Sequence, residues 1–431
     1  MSASKKNIGI LTAGGPCPGI NAVIAAALLY ANEQGVKVIT LHQGFKWIMQ
    51  GDITHVSTLS AEDANRIHYR GGSLIHVARD NPTKDSKFLE NTIDSLQRLN
   101  IDKLITIGGD DTAYSALSLE EKANGRIQVV HVPKTIDNDL DLPPGVNTFG
   151  FQTARHVGAT VIENLLMDAQ TATRWYFVIA MGRKAGHLAL GIGNAAAAQV
   201  SIIPEEFAGK NKLTLDKLTD ILVGAIVKRL SSGFEYGVAV LAEGLVEAMT
   251  EESLKDFPDL VRDEHGNIRF AEVDFGDIIK KKVIARLAEF KLTNTIISKD
   301  LGYELRCADP IAYDKEYSRQ LGYCASKYIL EGGNRAMVSI QDGKFVPMFF
   351  DELVDSETGR PRIRMVDVTS EAYQIARQYM TRLTTADFRN QPQLEKYAET
   401  TGIDSEEFIR QFKYIVKDEN ISNTSYRPED L

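Results

Sequence analysis

The stretches Leu104-Ile105-Thr106-Ile107-Gly108-Gly109-Asp110-Asp111 and Val129-Val130-His131-Val132-Pro133-Lys134-Thr135-Ile136-Asp137-Asn138-Asp139 decide how this chain is read. Each opens with a short apolar, β-branched run that predicts a buried strand, and each leaves that strand into glycine or lysine followed by carboxylates. In open α/β sheets, ligands collect in the crevice beyond the carboxyl ends of parallel strands, so both segments are expected to face one ligand. Glycine, four carboxylates and a lysine at one sheet edge suit phosphate, magnesium and a proton acceptor.

Outward from these segments, the same β-loop-α-β order recurs. Residues 7–12 read as a first strand, 14–19 as a glycine-proline turn, 20–34 as an alanine-rich helix and 36–41 as a second strand. Helices at 90–99 and 112–123 flank strands at 104–107 and 127–132, which implies parallel strands with right-handed crossovers. A second series starts near 149 with a helix to 169, a strand at 176–181 and a small-residue helix to about 198. It goes on with a helix at 215–230 and a strand at 236–241. The turn Pro143-Pro144-Gly145 marks a boundary between the series, and a late strand at 336–340 returns the chain to the first. The polar stretch 262–267 reads as a hairpin or loop, and 418–431 as loosely packed. The fold class is therefore α/β, with two Rossmann-like three-layer αβα lobes and an active site expected in the cleft between them.

Composition narrows the function. A chain of 431 residues is long for one core, and domain-size scaling favours two or three packed units. Its formal net charge of −9 argues against nucleic acid as the main partner, so an anionic ligand needs a local basic cluster. Cys17, Cys307 and Cys324 are far apart, odd in number and unsuited by spacing to a metal, which fits a reducing compartment. The N-terminus has no signal-peptide core, and no run reaches the ~18 apolar residues of a membrane span. A cytoplasmic protein with no membrane partner is expected.

Several motifs compete. Thr12-Ala13-Gly14-Gly15 precedes a helix, where backbone N–H groups and the helix dipole favour a phosphate, but it lacks the GK[ST] ending of a P-loop. Gly191-Ile192-Gly193-Asn194-Ala195-Ala196 has the spacing of a dinucleotide fingerprint but lies within a helix-like run instead of after a strand. Close helix packing explains it, and a dehydrogenase is set aside. Asp110 and Asp111 are adjacent carboxylates after a buried strand, and their charges repel unless a cation or a basic side chain is present; a solvated turn with no function is the competing reading. Asp137 and Asp139 are two apart, so an extended segment would point both the same way, one to accept a proton and the other to orient or hold the substrate.

In chain order, Thr12-Ala13-Gly14-Gly15, Arg70-Gly71-Gly72, Gly108-Gly109-Asp110, Thr135-Ile136-Asp137-Asn138-Asp139 and Met181-Gly182-Arg183 resemble the motifs of the 6-phosphofructokinase family, over roughly residues 7 to 345. ATP-using members carry glycine where this chain has Asp111 and Lys134, so it resembles the pyrophosphate-dependent branch. Glycine leaves room for an α-phosphate and nucleoside. An aspartate fills that volume and adds like charge, while a lysine offers a compact cation to the shorter pyrophosphate.

The resemblance implies a set of roles. Asp137 would accept the proton of the fructose 6-phosphate 1-hydroxyl, and Asp110 would engage Mg²⁺. Gly14, Arg79, Gly108 and Asp111 would line the pyrophosphate, with Lys134 and Arg183 offsetting charge on the transferred phosphoryl group. Thr135, Asp139, Met181, Gly182, Glu243, Tyr303 and Arg306 would bind substrate, Arg306 on the sugar 6-phosphate. Arg174 would be donated across a subunit contact, which implies a homo-oligomer, dimer or tetramer. A further basic residue is expected shortly before Tyr303, but the matching position falls in Thr295-Ile296-Ile297, which leaves Lys299 as the candidate. The donor lobe would comprise 1–148 and about 304–355, and the fructose 6-phosphate lobe 149–303 and about 356–431. Three alternatives remain at this point: an enzyme of the same fold using ATP, one acting on sedoheptulose 7-phosphate, and a non-catalytic regulatory subunit that senses sugar phosphate.

Overall fold

Apolar β-branched runs alternating with helices fold into two parallel-stranded sheets, each in its own compact unit. The computed structural model describes residues 6–208, 212–257, 273–355 and 361–416, so the polar stretch 262–267 and the tail 418–431 lie outside the described residues. In chain order the strands are β1 (Asn7–Thr12), β2 (Val38–Leu41), β3 (Val56–Ser57), β4 (Ile101–Gly108), β5 (Gln128–Pro133), β6 (Trp175–Ala180), β7 (Val200–Ile202), β8 (Gly237–Ala242), β9 (Ile296–Leu301), β10 (Ala336–Gln341) and β11 (Lys344–Phe349).

The first unit comprises Met1–Val157 and Gly302–Arg364. Its sheet runs β11-β10-β5-β4-β1-β2-β3, parallel through the middle and antiparallel only at the two edge pairs. Ile8, Ile10, Leu104, Ile105, Val129 and Val130 are fully buried, as expected for strands covered on both faces. The helix Ile20–Glu33 packs on the helix Ala312–Leu330. Gly322 makes this approach possible, since a Cβ there would stand 2.2 Å from the Val23 carbonyl oxygen.

The second unit comprises Gly158–Leu301 and Met365–Leu431. Its sheet is all parallel in the order β7-β8-β6-β9. The helix His187–Ala195 packs on β7 and β8, and the helix Phe275–Glu289 on β6 and β9. Gly193 belongs to that first helix, where a Cβ would strike the Ser201 hydroxyl at 2.0 Å, so the small residues there serve close packing. The division between the units falls inside the helix Phe151–Ala172, later along the chain than the Pro-Pro-Gly turn. No helix among the described residues is long and apolar enough to cross a membrane.

Candidate active site

The carboxyl ends of β1, β4 and β5 carry the residues that opened the reading. Gly14 has φ 85°, a conformation glycine adopts without strain, and its N–H donates to the Ala78 carbonyl at 2.9 Å. That bond ties the loop bearing the exposed Arg79 to the first turn. Lys134 is buried directly after β5, and its Nζ donates to the Gly15 carbonyl at 2.6 Å. The Arg306 guanidinium also lies against Gly15, 3.6 Å from where a Cβ would stand, and stacks over the Tyr303 ring at 4.9 Å. Burial holds the Lys134 ammonium below its ordinary value. Arg306 and Arg79 push it the same way, and Cys17 and Asp137 oppose. Three cations thus converge on the first turn, the local basic cluster that an acidic chain needs for an anion. Arg306, assigned by resemblance to the sugar 6-phosphate, stands in the first unit with these cations.

The carboxylates differ from expectation in two ways. The helix expected from 112 starts two residues earlier, so Asp110 and Asp111 are the first two residues of the helix Asp110–Ala123, with Gly109 as its N-cap. The positive end of the helix dipole therefore offsets the repulsion between them. Gly108 is required by that helix itself, because a Cβ would stand 2.2 Å from Thr112 Oγ1. The second difference is at Asn138, whose φ of 56° breaks the extended geometry that was to point Asp137 and Asp139 the same way. Asp137 and Asp139 are brought together by a corner instead. The Asp137 N–H donates to Thr135 Oγ1 at 3.0 Å, and the Thr135 hydroxyl also bonds the Asp139 carboxylate. Burial raises Asp139 well above the usual carboxylate range, and the negative charges of Asp137 and then Asp110 raise it further. Asp137 and Asp110 thus both act on Asp139.

His131 was read only as part of a strand, yet it supports the site from below. Its ring is fully buried, with Nε2 3.0 Å from the Gly108 carbonyl and Nδ1 2.8 Å from Thr106 Oγ1. A carbonyl can only accept, so Nε2 carries the hydrogen and Nδ1 accepts from the threonine hydroxyl. Burial lowers the imidazole to about 3, the Gly108 bond opposing and the Lys134 charge adding to the drop. The Lys134 N–H donates to the same Gly108 carbonyl at 2.8 Å, so one neutral histidine and one backbone amide fix the end of β4. The sequence signal was available: a histidine inside an otherwise apolar buried strand needs a reason.

A second group assembles in the second unit at the carboxyl ends of the neighbouring strands β6 and β8. Glu243 Oε1 accepts the Gly182 N–H at 3.2 Å, and Gly182 has φ 145°. A Cβ on Gly244 would meet the Arg183 carbonyl at 2.6 Å, so the Met181-Gly182-Arg183 loop lies directly on the Glu243-Gly244 turn. The Met181 N–H donates to the Leu301 carbonyl at 2.9 Å. Arg174 lies at the amino end of β6, away from that loop, with Nε 3.8 Å from the Asp168 carboxylate. Lys299 sits within β9, opposite Val178. Among the described residues no group of three or more histidine, cysteine, aspartate or glutamate side chains could hold a metal ion by itself.

The phosphofructokinase family model matches residues 7–329, and this chain belongs to that family. It is 45% identical over 418 residues to a pyrophosphate–fructose 6-phosphate 1-phosphotransferase of Naegleria fowleri, covering 95% of this chain and 96% of the relative. It is also 46% identical over 415 residues to the Thermotoga maritima protein of the same name, covering 94% of this chain and 98% of that one. A solved pyrophosphate-dependent phosphofructokinase from Marinobacter aquaeolei superposes with a TM-score of 0.66 at 19% identity, over 87% of this chain and 91% of that one. At that identity the likeness speaks for the fold, and it agrees with the two-sheet α/β architecture expected from the sequence.

Proposed function

We propose that this chain transfers a phosphoryl group from pyrophosphate to the C1 hydroxyl of fructose 6-phosphate, giving fructose 1,6-bisphosphate and phosphate, and that it also runs the reverse reaction. The observation that carries the reading is Lys134, a buried ammonium against the first turn, together with Asp111 at the helix start. Both occupy positions where the ATP-using pattern has glycine. The share of the chain and of its relatives that matches supports the same donor.

Phosphoryl transfer through a loose transition state asks the protein mainly for positioning and for charge to meet the equatorial oxygens. Lys134 and Arg79 supply that charge on the first unit, where Gly14 and Gly108 line the donor with no side chain in its way. Asp137 takes the C1 proton late, when the hydroxyl has become acidic, so its place matters more than its basicity. Thr135 and Asp139 hold the corner on which Asp137 stands. Arg183, with Met181, Gly182 and Glu243 around it, is assigned to the transferred group and the sugar hydroxyls, and Arg306, Tyr303 and Lys299 to the sugar phosphate. The repulsion of Asp139 by Asp137 and Asp110 fits a bound cation, and Asp110 would hold it. Magnesium commonly binds through one or two carboxylates plus phosphate oxygens and supplies charge neutralisation there, which agrees with a site that has no complete protein ligand set among the described residues. A cytoplasmic homo-oligomer in which Arg174 serves a neighbouring subunit, working in glycolysis or gluconeogenesis, completes the proposal.

The reverse direction is a direct test. Incubated with Mg²⁺, inorganic phosphate and fructose 1,6-bisphosphate, the purified chain is expected to give pyrophosphate and fructose 6-phosphate by phosphorus NMR. No pyrophosphate under conditions where the folded protein is present would reject the donor assignment.

A further inference from the structure

The corner that carries Asp137 and Asp139 is braced from outside. Asn138 sits in the left-handed region at φ 56°, which asparagine enters more readily than most non-glycine residues, and the contacts around it hold it there. The surroundings here come from far along the chain. Ile363 pairs with Leu140 as an antiparallel bridge, and the Arg364 N–H donates to the Asp139 carbonyl at 2.8 Å. The Arg364 guanidinium then spreads over the corner. Its Nε and Nη2 donate to the Asn138 carbonyl at 3.2 and 3.1 Å, and Nη2 also reaches Asn138 Oδ1. Its Nη1 donates to the Val146 carbonyl at 2.7 Å and the Leu142 carbonyl at 3.3 Å. Asn138 in turn passes the restraint on: its Oδ1 accepts the Thr148 N–H at 3.0 Å, and its Nδ2 donates to Asn147 Oδ1 at 3.0 Å. Arg362, two residues earlier on the same strap, anchors to Asp141 at 2.7 Å.

We infer that Arg364 is a positioning residue for the phosphoryl transfer: its guanidinium fork holds Asn138 in the left-handed conformation and thereby sets where Asp137 stands. The inference rests on the proposed function for the role of Asp137, but not for the clamp itself. A planar fork with donors on both edges can serve three carbonyls and one amide oxygen at once, whereas a lysine ammonium in the same place has fewer donors and no fixed plane. Displacing a reacting group by about 1 Å can lower turnover by about a hundredfold without loss of substrate binding. The clamp therefore predicts a defect in kcat, not in KM.

Arg364→Ala and Arg364→Lys variants, checked for folding by circular dichroism and thermal melting, test this in two independent ways. By hydrogen exchange, the Thr148 amide is expected to lose about tenfold or more of its protection in Arg364→Ala while β4 and β5 stay protected. In turnover with pyrophosphate, kcat is expected to fall by about ten- to a hundredfold with both KM values within about threefold. Millimolar methylguanidinium should restore part of that kcat to Arg364→Ala, and Arg364→Lys should remain impaired. If Arg364→Ala does not fold, the lysine variant carries both readouts, with the same expected directions. Unchanged Thr148 exchange in a folded variant, or unchanged kcat, overturns the inference. An unaltered protein inert with pyrophosphate would sink the proposed function instead, and the exchange result would still decide the clamp.

Discussion

At the scale of single residues, the proposed function separates groups that act by charge from groups that act by place. Lys134 and Asp111 belong to the first kind, since each fills volume and sets a sign of charge where a glycine would leave room. Replacing both, Asp111→Gly with Lys134→Gly, is expected to admit ATP as a donor, measured as ATP-dependent fructose 1,6-bisphosphate formation. A double variant that still excludes ATP completely would show the steric account to be wrong. Asp137 belongs to the second kind. Asp137→Ala is expected to lose about a hundredfold or more in kcat, within the usual span for a lost general base, with sugar-phosphate affinity nearly unchanged in a binding titration. His131 gives the pH dependence. Its folded value lies near 3, below the unfolded 6.5, so the unfolded chain binds more protons between those limits and stability rises with pH through that window. The His131 contribution is therefore lost progressively below about pH 6.5, while Asp139, raised above its ordinary value by burial, contributes with the opposite sign, so the two are separated only by substitution. His131→Gln, which keeps a donor for the Gly108 carbonyl without a titrating ring, should flatten that slope in urea melts taken between pH 4 and 6.5. An equal slope in both proteins would remove His131 as the source.

At the scale of elements, apolar periodicity was enough to read β1, β2, β4, β5, β6, β8 and β10 and the helices between them, but not β3, β7, β9 and β11 or the helices Phe275–Glu289 and Ala312–Leu330. The helix expected at 215–230 is observed over the same residues, because a threonine N-cap and an apolar run leave little choice. Element ends were less legible where glycine took an unusual part. The helix expected from 112 begins at Asp110, since Gly109 caps it and no serine, threonine or aspartate announces the start. The corner at Asn138 differs from the extended segment expected: asparagine is among the few non-glycine residues that take a left-handed φ readily, and the Arg364 contacts that brace it come from more than two hundred residues further along the chain. Packing between helices gives the prediction at this scale. Gly322→Ala would drive a methyl into the Val23 carbonyl between the helices Ile20–Glu33 and Ala312–Leu330. It is expected to destabilise the protein by about 1–3 kcal/mol, typical of overpacking, seen as a lower melting temperature with kcat retained well below it. A melting temperature equal to that of the unaltered protein would contradict the tight crossing.

At the scale of the whole molecule, the division of labour follows from two parallel sheets, each gathering its own residues at its carboxyl edge. The first group was readable in the sequence, because strand-to-glycine and strand-to-carboxylate junctions mark a sheet edge, whereas Met181-Gly182-Arg183 and Glu243 in the second came only from the family resemblance. What was not readable is how the late chain contributes. The strap that ends at Arg364 pairs with the corner at Leu140, and the helices Gln391–Thr401 and Ser405–Phe412 were silent in composition and motif. Long-range pairing of this sort depends on where the fold brings two segments, not on either segment alone. The central claim remains the donor. Forward turnover of fructose 6-phosphate with Mg²⁺, compared as kcat/KM for pyrophosphate and for ATP on the same preparation, tests it most directly. Efficient turnover with pyrophosphate and none with ATP is the predicted result, and turnover with ATP in preference to pyrophosphate would contradict the roles given to Lys134 and Asp111.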